Sequence, residues 1–130
     1  MIRFIIQGET PAKKNSRIFL KNGRNIPSKR YQEWHKQARE QILTQGLVQA
    51  NDSFATMPIE KEVVIKLTFY HGDLRRRDSD NGTSSVLDLL TDCLILADDK
   101  WQIVRGLEVI NYYEKGNPRC VIEISPFKGL

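Results

Sequence analysis

Apolar residues fall along this chain in short blocks whose spacing changes from block to block. Arg3 to Gln7 (RFIIQ), closed by Gly8 and followed by Thr10-Pro11, predicts an opening strand. A polar stretch runs from Ala12 to Pro27, broken by Ile18-Phe19-Leu20, which predicts a brief strand turning back at Asn22-Gly23. Ser28 is placed to cap a helix, because its hydroxyl can accept from the free amides of a first turn. Beyond it Trp34, Ala38 and Ile42 recur every four residues with Tyr31 nearby, predicting one amphipathic helix that ends near Gly46. Residues 47 to 58 read as a connection. From Lys61 to Tyr70, Val63, Ile65, Leu67 and Phe69 alternate with more polar neighbours, the pattern of a strand with one buried face. A second helix is predicted from about Thr83 to Leu96, striped by Val86, Leu90, Cys93 and Ala97 and stopped by Asp98-Asp99. Ile103 to Tyr113 and Cys120 to Ile124 read as two strands of a β-hairpin turning at Lys115-Gly116-Asn117-Pro118. The order predicts an α+β fold: one domain over residues 1–130, with a small mixed sheet of four or five strands and two main helices packed on one face. Such a sheet leaves a face or an edge open, which favours a homodimer.

Charge adds a division that hydropathy does not show. Residues 1–50 hold ten Lys/Arg against three Asp/Glu, a balance of +7 within a chain whose net charge is +4. A basic half beside an acidic half suits a protein that grips phosphates in one region and gathers carboxylates around a cation in another. A merely solvated surface is the duller reading. The basic candidates are Lys13, Lys14, Arg17, Arg24, Lys29 and Arg30, joined later by Arg75, Arg76, Arg77 and Lys100. Cys93 and Cys120 lack zinc or disulfide spacing and read as small core residues. No apolar run is long enough to cross a bilayer and no signal peptide is evident, so the expected compartment is the cytoplasm.

The most informative stretch is RRRDSDN, Arg75 to Asn81, followed after the second helix by ADDKW, Ala97 to Trp101. Asp78 and Asp80 are two apart, so at the end of an extended segment their side chains point the same way. Converging carboxylates repel one another, and a hard divalent cation relieves the repulsion. The same residues also suit a helix N-terminus with acids in its first turn. A helix of this length carries the chain about 20 Å. Asp99 therefore reaches the first pair only if the chain folds back or if the site forms across a dimer, and the sequence leaves both open. Asp88 and Asp92 read as surface charge, and His35 and His71 as bystanders.

RRRDSDN, the downstream Leu87-Asp88-Leu89-Leu90 and Ala97-Asp98-Asp99 resemble, in order and spacing, the signature of the RusA family of Holliday-junction resolvases. The stretches Gly8 to Asn15 and Pro27 to Trp34 also match the family's pattern. The resemblance implies a crossover junction endodeoxyribonuclease that makes paired nicks in four-way DNA during recombination and repair, as a homodimer with Mg²⁺, or Mn²⁺ in its place. Prophage carriage is expected of small resolvases of this kind. By position, the resemblance makes Asp78, Asp80 and Asp99 the catalytic, metal-binding carboxylates, with Asp98 a helper. One departure stands out. Where better-known members carry a lysine four residues after the second Asp, this chain has Ser84. A lysine can stabilise charge developing on phosphate, whereas serine donates only a neutral hydrogen bond. Lys100 or one of Arg75 to Arg77 is the candidate substitute. The competing readings are a nucleic-acid-binding protein with a degenerate site and a metal-dependent nuclease for other branched DNA or RNA.

Overall fold

The computed structural model describes residues 1–12, 17–23, 25–49 and 54–129. Its elements run β1 (Ile2–Gln7), β2 (Arg17–Phe19), β3 (Asn25–Pro27), α1 (Lys29–Gln49), β4 (Val63–His71), α2 (Thr83–Asp92), β5 (Val104–Tyr113) and β6 (Arg119–Pro126). Four strands make one mixed sheet in the order β1-β6-β4-β5, and β2 with β3 makes a separate antiparallel ribbon. The fold is α+β, as the periodicities predict.

Alternation does the packing. Ile2, Phe4 and Ile6 of β1, the Val63 to Phe69 series of β4 and Cys120, Ile122 and Ile124 of β6 are buried together with Trp34, Ala38 and Ile42 of α1 and Val86, Leu89 and Leu90 of α2. Each such aliphatic or aromatic side chain contributes about 1.5–3 kcal/mol by leaving water. The Ser28 hydroxyl accepts from the Tyr31 amide at 3.2 Å, confirming the predicted cap of α1. Both cysteines are free and buried. Burial pushes each thiol up from its ordinary value.

Three expectations are corrected. The last two strands are not a hairpin: β4 lies between them, parallel to β5 and antiparallel to β6. The connection crosses the end of β4, where the Glu114 amide donates to the His71 carbonyl at 2.9 Å. The reason is burial. β4 hides Val63, Ile65, Leu67 and Phe69 on one face and Thr68 on the other, so it takes an interior position, while the largely exposed β5 takes the edge. Skipping one strand requires the loop to span only about 10 Å, so a hairpin-length loop serves either pairing.

The second helix stops at Asp92 rather than at Asp98-Asp99. Leu94 adopts a left-handed backbone (φ 58°), and the Ile95 amide returns to the Leu90 carbonyl at 3.0 Å. This exit lets Ile95 and Leu96 extend and bury, with the Ile59 amide donating to the Ile95 carbonyl at 2.8 Å. The first helix continues past Gly46 to Gln49. Its Gln45 bonds both the amide and the carbonyl of Ile5, at 2.8 and 2.7 Å, and Gln41 accepts from the Gln7 amide. The free edge of β1 is thereby closed by side chains. The β5 edge has no such cover among the described residues, and Leu107, Tyr112 and Tyr113 stand exposed on it.

Candidate functional site

Asp78 ends an irregular segment after β4, and residues 79–82 turn into α2. The Asn81 amide donates to the Asp78 carbonyl and the Thr83 amide to the Asp80 carbonyl, each at 3.1 Å. Both aspartates are exposed, and neither carboxylate has a hydrogen-bond or ion-pair partner among the described residues. Gly82 closes the turn against the core. A Cβ there would lie 2.8 Å from Phe69 Cε1 and 2.8 Å from Thr10 Cγ2, so only glycine fits. Asp80, Asn81, Thr83, Ser84 and Leu87 line a small concavity of about 180 Å³ beside the pair.

A polar network holds this turn from below. Asn111 of β5 donates through Nδ2 to the Ser79 carbonyl, between the two aspartates, at 2.8 Å. Its Oδ1 faces His71 Nε2 at 2.8 Å, and His71 Nδ1 faces Glu9 Oε2 at 2.8 Å. Arg77 reaches Glu9 at 3.2 Å and Asp73 at 3.0 Å. The Arg75 amide donating to Asp73, together with the Arg77 guanidinium, holds the Asp73 carboxyl below the usual carboxylate range. Sequence reasoning missed His71, Glu9 and Asn111, which lie 62 and 40 residues apart. The parallel register that sets Phe69 opposite Asn111 is what brings His71 and Asn111 together, and nothing local encodes it. His35 also has a role, bridging to Asp92 at 2.9 Å across the two helices, and Asp88 meets the Tyr31 hydroxyl at 3.4 Å.

Asp98, Asp99 and Lys100 sit elsewhere. Their turn is tied to the start of the parallel pair, where the Ile103 amide donates to the Lys100 carbonyl and the Val63 amide to the Ile103 carbonyl. The aspartate turn is tied to Asn111, near the other end of β5. Seven residues of strand separate Val104 from Asn111, roughly 23 Å. One chain therefore does not bring Asp99 to Asp78 and Asp80. Among the described residues no three His, Cys, Asp or Glu side chains gather as a metal would require. Lys100 is likewise too far to replace the lysine absent at position 84 of its own subunit. A cavity of about 700 Å³ against Phe54, Met57 and Glu60 is lined by a single carboxylate, Glu60, and so offers no carboxylate pair.

The basic residues divide as well. Lys29 and Arg30 are exposed on the first turn of α1, and Arg75 and Arg76 are exposed beside the aspartates. Arg77 is turned inward onto Glu9 and Asp73, so it props the loop. The Arg17 backbone opens β2. Lys13, Lys14 and Arg24 lie outside the described residues.

Asp78 and Asp80 together offer four carboxylate oxygens with no ion-pair partner among the described residues, and the Thr83 hydroxyl next to them is buried with no hydrogen-bond partner among those residues. A hard divalent ion that keeps several waters fits that donor set. No helix among the described residues is long and apolar enough to cross a membrane. The chain matches no curated protein. Residues 8–125 match the family Endodeoxyribonuclease RusA, a span that takes in the basic loop, both helices and the aspartate turn. The chain belongs to the RusA endodeoxyribonuclease family, whose activity is endonucleolytic resolution of Holliday junctions.

Proposed function

We propose that this chain is a single-domain, cytoplasmic, Mg²⁺-dependent junction nuclease that acts as a homodimer and makes paired nicks. The observation that carries the reading is the exposed Asp78 and Asp80, without a partner among the described residues, on a turn fixed by Gly82 and Asn111. When bound, Mg²⁺ or Mn²⁺ supplies Lewis acidity at the scissile phosphate and a water of lowered pKa. Asp78 and Asp80 hold it. Arg75 and Arg76 hold flanking phosphates by paired N–H donation. Ser84, exposed at the first turn of α2, can offer the phosphate only a neutral hydrogen bond.

A second copy supplies the third carboxylate in this reading. Two β5 edges pairing antiparallel about a two-fold axis set the end of one strand that lies near Asp78 and Asp80 beside the start of its partner, where the partner's Asp99 lies. The operation repeats itself on the other side, giving two equivalent sites and hence two nicks. The open β5 edge and its exposed Leu107, Tyr112 and Tyr113 support this arrangement.

The test is Asp80→Asn. It removes several kcal/mol of charge stabilisation through the metal, so Mg²⁺-dependent cleavage of a labelled four-way junction falls on the order of 10³-fold or more. Binding of the junction in the absence of metal stays at the wild-type level, since the basic surface is untouched. Undiminished cleavage by the variant would remove the aspartate pair from the mechanism. Wild-type protein that binds junctions without cutting would favour the binding-protein reading, to which Ser84 lends its only support.

A further inference from the structure

Resting on the metal-site reading above, we propose that Glu9, His71 and Asn111 form a relay that fixes the Ser79 carbonyl and so sets the spacing of Asp78 and Asp80, making His71 and Asn111 positioning residues for the metal. Three links of 2.8 Å join the carboxylate of Glu9 to the backbone between the aspartates. Hydrogen-bond chemistry orders them in one direction. The Ser79 carbonyl can only accept, so the Asn111 amide must present its nitrogen there and its oxygen to His71. His71 Nε2 must then carry a hydrogen, which selects the tautomer. His71 Nδ1 faces Glu9 Oε2 at 2.8 Å. Glu9 is itself held by Arg77 at 3.2 Å, and the His71 ring lies stacked 6.2 Å from Phe69, the residue that also fills the space beneath Gly82.

The relay joins three strands or strand ends around the loop that carries the aspartates. Residues 74–78 have no regular structure, and the two carboxylates project into solvent where their mutual repulsion would drive them apart. Outer partners that orient metal ligands are worth about tenfold to a hundredfold in metal affinity. The relay does that work one bond further out, through the backbone.

Asn111→Leu keeps the size of the side chain and removes the donor. His71→Phe keeps the ring against Phe69 and removes both nitrogens. His71→Gln restores a donor near the Nε2 position. Mn²⁺ binding to the DNA-free protein, followed by titration calorimetry, is expected to weaken about tenfold to a hundredfold in Asn111→Leu and His71→Phe and to recover in His71→Gln. The Mg²⁺ concentration for half-maximal cleavage rises in parallel, while kcat at saturating Mg²⁺ and metal-free junction affinity change little. A merely structural defect would instead lower the melting temperature and junction affinity and would leave His71→Gln unrescued, and that result overturns the proposal. Wild-type Mn²⁺ affinity in both disabling variants, alongside loss of binding in Asp80→Asn, overturns the relay and leaves the metal site standing. Unchanged Mn²⁺ binding in Asp80→Asn overturns both. If one disabling variant fails to fold, the other carries the same comparison.

Discussion

The two ends of the β4–β5 pair carry the same residue type in opposite settings. At one end Asp78 and Asp80 ride on a turn clamped by Gly82 against Phe69 and Thr10 and by Asn111 from the sheet. At the other, Asp98 and Asp99 stand on an exposed turn whose local side-chain bond is the Asp99 amide donating to Asp98 Oδ1 at 2.7 Å. Beside that turn the exposed Trp101 meets Arg105, which stacks on Phe127 and pairs with Glu62. A carboxylate that holds a metal alone must be placed beforehand. One that completes a site from a neighbouring subunit can be placed by the interface. The contrast suits the inter-subunit site proposed above, and it can be broken experimentally.

The largest effect is expected from mixing two inactive variants. If Asp99 acts in the partner's site, a dimer of one Asp80→Asn chain and one Asp99→Asn chain has one site with both lesions and one with none. Random reassortment then restores about a quarter of wild-type sites, measured as single nicks in a junction. Recovery of no activity after verified subunit exchange would place the third carboxylate elsewhere. A smaller effect is expected at the clamp. Gly82→Ala inserts a methyl where two carbons lie 2.8 Å away, and such overpacking costs typically about 1–3 kcal/mol. It should appear as a lower denaturant midpoint at unchanged slope, together with a raised Mg²⁺ requirement. A midpoint equal to wild type would show that the turn is loosely seated.

Smallest of all is a change at the exit of α2, on the far side of the comparison. Leu94 is 65% exposed and held at φ 58°, a conformation that costs a side-chain-bearing residue roughly 1–2 kcal/mol. Leu94→Gly should stabilise the protein by about 1 kcal/mol and leave nicking unchanged. A loss of stability would mean that the Leu94 side chain packs more usefully than its exposure indicates.

These same places show what the sequence could and could not carry. Period-2 alternation located β4 and period-4 spacing located α1, because burial on one face imposes the pattern residue by residue. Strand order was another matter. Leu107, Val109 and Asn111 read alike for an edge strand beside β4 and for half of a hairpin, since neighbours in a sheet are chosen by the whole core. The exit of α2 was misread because Asp98-Asp99 is a conspicuous stop and a left-handed Leu94 is not. The Asp78-Ser79-Asp80 turn stood out locally, as did Arg75 to Arg77. The inward turn of Arg77 did not, because Glu9 lies far away in sequence. His71 looked idle for the same reason.

The pairing of β1 with β6, from Ile2 opposite Ile124 to Gln7 opposite Arg119, has a bearing on how the protein comes into being. The strand made first has no neighbour in the sheet until the strand made last emerges. β4, the strand that leads into the aspartate turn, likewise lacks β5 and β6 while it is being synthesised. Contacts so distant along the chain close late and are slow to form. Asn111 cannot reach the Ser79 carbonyl before β5 exists. A growing chain thus carries the aspartates without the framework that sets them, and the capacity to cut DNA arrives only with the finished sheet.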